Sequence, residues 1–353
     1  MSALGRASRL LAAALAATLM AAPATGQPKP AERAKPAPKR PTAQKPAPAA
    51  PATPAPAEDG DLAYGAFQRG LYLTAFKEAT RRVDEKSDPK AMTLLGELYA
   101  DGLGIPNDDA KAADWYKLAA ARGDREAMFA LAMFKLVGRA GPRDREEAAR
   151  LMTAAAKLGH VVAAYNLGLL YLEGELFPQD FGRAAELFRT AAQAGNPQAQ
   201  YALATFYKEG RGVPKDEREA ARLLGAAALA GYTDAEIEYG IALFNGTGVA
   251  KNETAAFNYL FKASRKGSPV AQARLAFMYA TGRGVKADAI EAARWHTIAR
   301  AGGDNDLFLD EFVRKMSPTD RAAGEDKAKP WIARMRPVGP SPFPAPPEQQ
   351  SKP

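Results

Sequence analysis

Bulky apolar residues divide the chain into three regimes. An apolar run extends from Leu10 to Ala22, bulky apolar residues are absent between 27 and 58, and they return at helical spacing as far as Met335. Within the third regime they come in alternating short blocks. Ala91, Leu95 and Tyr99 recur at i, i+4 and i+8, and Ala112, Trp115 and Ala119 at i, i+3 and i+7. Both spacings gather side chains on one face of an α-helix, so each block predicts an amphipathic helix. Glycine closes each block, at Gly102 and Gly123, and Asp108 opens the second. Such residues suit the left-handed turn that ends a helix and the cap that begins one.

This two-helix pattern repeats. Alanine recurs every 36 residues at Ala91, Ala127, Ala163, Ala199, Ala235 and Ala271, giving regular units 91–126, 127–162, 163–198, 199–234, 235–270 and 271–306. The second helix of each unit opens at Asp108, Asp144, Asp180, Asp216, Asn252 or Asp288. Its alanines, seven apart, allow close packing, while Trp115, Leu151, Leu187, Leu223, Tyr259 and Trp295 supply bulk between them. A lone helix pair cannot bury these faces, so the units are expected to stack in one continuous array. The ends deviate as caps do: 61–90 reads as a degenerate pair, and 307–336 as a short amphipathic helix followed by one opened by Ser317-Pro318. Ser87 is expected to cap the helix that has Pro89 in its first turn.

The unit beginning at Ala91 carries Leu95-Gly96, Tyr99, Gly102-x-Gly104-Ile105, Asp108, Ala112, Trp115-Tyr116, Ala119-Ala120 and Gly123. This string resembles the Sel1-like repeat family. The resemblance implies an all-α fold, a right-handed α-solenoid of helix-turn-helix repeats, and a binding scaffold as its role. Exported bacterial members of that family resemble periplasmic regulators of envelope signalling and adaptors in polysaccharide export. Two units depart from the pattern, with Ala140 and Leu176 in place of the second turn glycine.

Composition sharpens this picture. Residues 1–26, with Arg6 and Arg9 before a 13-residue apolar run and small residues at 22–26, have the layout of a cleavable signal peptide; crossing a bilayer takes about 20 residues. The expectation is a periplasmic protein with no integral membrane segment after cleavage. Residues 27–58 hold ten prolines, ten alanines and a net charge of +4, which predicts a disordered spacer. The tail 337–353, again rich in proline, is expected to be disordered too. Six of the eight net positive charges precede residue 59, so the repeat array is almost neutral and nucleic acid is not an expected partner. The basic spacer could still touch anionic envelope polymers weakly.

Little in the sequence promises catalysis. Without cysteine there is no thiolate chemistry, and the two histidines, His160 and His296, lie far apart in the repeat order. The Gly-x-Gly pairs recur with the repeat, as turns do, and predict no phosphate site. No cofactor or metal is expected. A first-helix stripe is the more promising feature: Phe129, Met133 and Leu136; Tyr165, Leu169 and Leu172; Ile237, Ile241 and Phe244. It serves either packing between units or an apolar groove for a partner protein. Asn166, Glu238 and Arg274, with Asp101, Glu173 and Glu209, are the polar candidates for an accessible face. The leading expectation is an exported, non-catalytic protein-binding scaffold. The alternative is a cell-wall (peptidoglycan) enzyme or a carbohydrate-binding accessory protein.

Overall fold

The computed structural model describes residues 62–335, and the segments expected to be a signal peptide at 1–26, a spacer at 27–58 and a disordered tail at 337–353 lie outside the described residues. Among the described residues every regular element is an α-helix. An opening pair, α1 (Leu62–Gln68) and α2 (Tyr72–Lys86), precedes six successions of a first and a second helix. These are α3 (Pro89–Asp101) and α4 (Asp109–Ala121), α5 (Arg125–Val137) and α6 (Arg145–Lys157), α7 (Val161–Glu173) and α8 (Phe181–Gln193). They continue with α9 (Pro197–Glu209) and α10 (Glu217–Leu229), α11 (Thr233–Asn245) and α12 (Glu253–Arg265), α13 (Pro269–Thr281) and α14 (Ala289–Ala301). Two closing helices follow, α15 (Leu307–Lys315) and α16 (Pro318–Ile332). The chain forms two compact units that divide between Leu176 and Phe177, in the turn where Leu176 replaces a glycine.

The helix boundaries follow from capping chemistry. Asp108, Asp144, Asp180, Asp216, Asn252 and Asp288 each accept a hydrogen bond from a backbone amide two or three residues on, as the repeat register predicts. A cap of this kind is worth about 1 kcal/mol. The first helices are capped as well, by Asp88, Asp124, His160, Asn196 and Ser268. One sequence expectation needs correction: Ser87 does not cap α3. It closes α2 in the left-handed conformation with φ 48°, and the adjacent Asp88 accepts the Lys90 amide at 2.9 Å instead. Ala140 also takes a left-handed φ, 56°, where four of the six units carry glycine, a conformation that costs an alanine about 1–2 kcal/mol.

Small residues set the packing. The second-helix alanines Ala112, Ala148, Ala184, Ala220, Ala256 and Ala292, and their partners seven residues on, are all buried to 2% exposure or less. The deepest bulk lies one residue later than the sequence suggests. Leu223 and Trp295 are buried, but Trp115, Leu151, Leu187 and Tyr259 are only half-buried. The neighbours Tyr116, Met152, Phe188, Leu224, Leu260 and His296 are each at most 4% exposed. Successive repeats are also joined by polar contacts. Arg139 forms an ion pair back to Asp109, and Arg283 to Glu253 with its Nε at 2.9 Å. In the second unit α16 lies against α14 so closely that a Cβ on Gly324 would meet the Ala293 methyl at 2.6 Å.

Candidate functional site

The first helices present the side chains that could meet a partner. In the first unit, α3 and α5 bring Glu97, Asp101, Glu126 and Phe129 near one another, and the cap of α7 adds His160. His160 is buried, and its ring stacks on Phe129 at 4.4 Å between centroids. Its Nδ1 accepts the Ala163 amide at 2.9 Å, so the proton sits on Nε2, which donates to Glu126 at 2.9 Å. That hydrogen bond, with the charge of Arg125 adding to it, holds the Glu126 carboxyl below its usual range. Both nitrogens of His160 are thus committed to structure.

Glu97 behaves oppositely. Burial pushes its carboxyl up, and the charges of Asp101 and Glu126 push it further. The folded state therefore binds the proton more tightly than the unfolded chain, and ionised Glu97 lowers stability at neutral pH. This penalty disappears once the pH falls below the unfolded carboxylate range, where both states are protonated. Glu97→Gln is accordingly expected to raise the Tm at pH 7, with the gain fading toward about pH 3. Thermal melts across that interval check it, and a gain that did not change with pH would contradict the stated cause. Glu97 occupies the same place in its repeat as Met133, Leu169 and Ile241, so aligning the repeats on that stripe was the signal that could have found it.

The second unit carries a mixed surface on α9, α11 and α13. Tyr201 packs beside Tyr232 at 5.2 Å between ring centroids. Burial raises the Tyr201 phenol, and Glu238, Asp234 and Glu209 add to the effect. Burial, then the charge of Glu238, raises Asp234 as well. Glu238 is half-buried and ion-paired with Lys208, while Glu209 is exposed and meets Arg211 at 2.8 Å. Further along, Ile237 and Phe244 lie half-buried against the core around Leu260 and Met278. The Arg283 guanidinium covers the Phe244 ring at 3.8 Å. Arg274 is exposed, and among the described residues it makes no ion pair.

The remaining candidates fall out differently. Asp101 and Glu173 are exposed, Glu173 accepting from Arg145 at 3.1 Å. Asn166 and Tyr165 are not accessible: they are 2% and 7% exposed. Both sit on α7, which is apolar almost throughout and is buried from Ala163 to Leu170. Burial alone raises the Tyr165 phenol to about 12. Phe129 is half-buried and occupied by the His160 stack. In the second unit, His296 joins α14 to α15 through a 2.9 Å contact from its Nε2 to Asp310, a carboxylate that Arg300 also reaches at 3.1 Å. Among the described residues no group of three or more carboxylates and histidines is placed to hold a metal ion, and no helix is long and apolar enough to cross a membrane.

Known proteins match this arrangement closely in period. The Sel1 repeat family matches residues 89–124, 125–160, 161–196, 197–232, 233–268 and 269–304, each match beginning at the first residue of a first helix. A solved Sel1 repeat protein from Oxalobacter formigenes is similar at 23% identity with a TM-score of 0.56, over 70% of this chain and 99% of that one. A protective antigen present in uropathogenic Escherichia coli strains, displaying an SLR fold, is similar at 25% identity with a TM-score of 0.52, over 74% of this chain and 64% of its own.

Proposed function

Because the chain belongs to the Sel1 repeat family, whose members are typically protein-interaction scaffolds, we propose that it is an exported, non-catalytic adaptor that binds a protein partner on its first-helix face. It acts in the periplasm, in envelope signalling regulation or polysaccharide export. The observation that carries this reading is the surface of α11 and α13, where Glu238, Ile241, Phe244, Arg274 and Phe277 offer apolar area with dispersed charge. Such a surface suits a peptide or helix more than a reaction centre, which would gather titratable groups around one point. The export arm of the proposal rests on the signal-like residues 1–26 and the proline-rich 27–58.

A photo-crosslinker placed at Glu238 in live cells tests the proposal. The expected result is a discrete protein adduct that fractionates with the periplasm. Recovery of the protein in the cytoplasm would overturn the export arm. Hydrolysis of wall fragments by the purified protein, without any protein adduct, would favour the enzyme reading instead.

A further inference from the structure

We propose that the depression between α11, α12 and α13 receives one large apolar side chain of a partner peptide, and that Arg274 pairs with an acidic residue next to it. This rests on the scaffold reading above and names the chemistry of its partner.

The floor of the depression is Leu260 and Met278, each 1% exposed, and its walls are Ile241, Phe244 and Phe277. Its volume is about 110 Å³, far below the several hundred Å³ of small-molecule sites and near the size that accepts a single ring. A row of rings continues beyond it, Phe244 to Phe277 at 6.1 Å and Phe277 to Phe308 at 5.4 Å, and Phe308 is half exposed. The site therefore rewards burial of an aromatic or branched aliphatic side chain lying along that row.

Charge decides the neighbour of that side chain. Arg283, Lys208 and Lys266 in this unit are ion-paired with Glu253, Glu238 and Glu236. Arg274, also part of the pocket lining, has no such partner among the described residues; it acts on Asp304 through its field. An exposed guanidinium beside an apolar depression presents forked donors suited to a carboxylate. A phenylalanine flanked by glutamate satisfies both features at once.

Fluorescence anisotropy with the purified full-length protein tests this, using end-blocked, labelled peptides. One carries Glu-Phe-Glu at its centre, one Lys-Phe-Lys and one Glu-Ser-Glu. A fourth spans residues 340–346 of this chain, which include Phe343. The expected result is preference for Glu-Phe-Glu over the other three by about tenfold, the size of one charge-assisted contact, weakening as salt rises. Arg274→Glu should invert the preference toward Lys-Phe-Lys, and Ile241→Glu should abolish binding of both; circular dichroism confirms that each variant is folded. Unchanged preference in Arg274→Glu overturns the proposal. Tightest binding of the 340–346 peptide overturns it as well, by making the chain itself the occupant. If the Glu238 adduct forms in cells while none of the peptides binds, the pocket assignment fails and the scaffold reading stands.

Discussion

Gly248→Ala is expected to destabilise the protein by about 3 kcal/mol, while Gly267→Ala, one repeat turn away, should cost only about 1 kcal/mol. Both glycines hold positive φ, 68° and 91°, so alanine meets the same left-handed penalty at each. Their surroundings differ. A Cβ on Gly267 would find nothing within 4 Å, whereas one on Gly248 would lie 1.9 Å from the Glu217 carbonyl oxygen. That oxygen belongs to the backbone of α10, so no rotamer change relieves the overlap and the turn must move away from the preceding repeat. The same approach recurs at Gly212 on Phe181 and at Gly284 on Glu253, both at 2.2 Å. Urea denaturation of the two variants checks the difference; equal losses would mean that conformational strain alone accounts for both.

These glycines mark how far the sequence could be read. The period, the helix ends and the second-helix caps were legible because each depends on residues adjacent in sequence: an aspartate reaches an amide two or three positions on, and a glycine adopts its own φ. The close approach at Gly248 was not, since it involves a backbone 31 positions earlier. The candidate surface divides along the same line. Glu238, Arg274 and Asp101 lie where repeat alignment places polar residues that reach solvent. Asn166 occupies the same repeat position as Glu238 and Arg274, yet it is buried, because α7 is so apolar that its polar positions are enclosed too. Glu97 went unread because carboxylates stand out by charge, and the property that distinguishes this one, its enclosure beside Asp101 and Glu126, arises only when α3 and α5 pack.

Phe188→Ala is expected to cost about 3–5 kcal/mol, and Leu187→Ala clearly less, although the spacing of Ala184 and Ala191 treats the two positions as equivalent. On a helix turning about 100° per residue, 187 and 188 lie equally far from the line through those two alanines, on opposite sides. Ala185 and Ala192 break the tie. With Ala184, Phe188 and Ala191 they are all 6% exposed or less, and together they span an arc of about 120° centred on Phe188. Leu187 stands about 100° from that centre and is only half-buried. Phe188 is completely enclosed, and its ring meets Phe206 edge-on at 5.5 Å, joining α8 to α9. Truncation would remove that contact and leave a cavity that flanking alanines are too short to fill. Since domains are commonly stable by only about 5–15 kcal/mol, a loss of this size should shift the denaturation midpoint strongly. Matched urea titrations of the two variants decide it: if Leu187→Ala proved as costly as Phe188→Ala, the buried arc would be centred between them and the paired alanines would not set the packing direction.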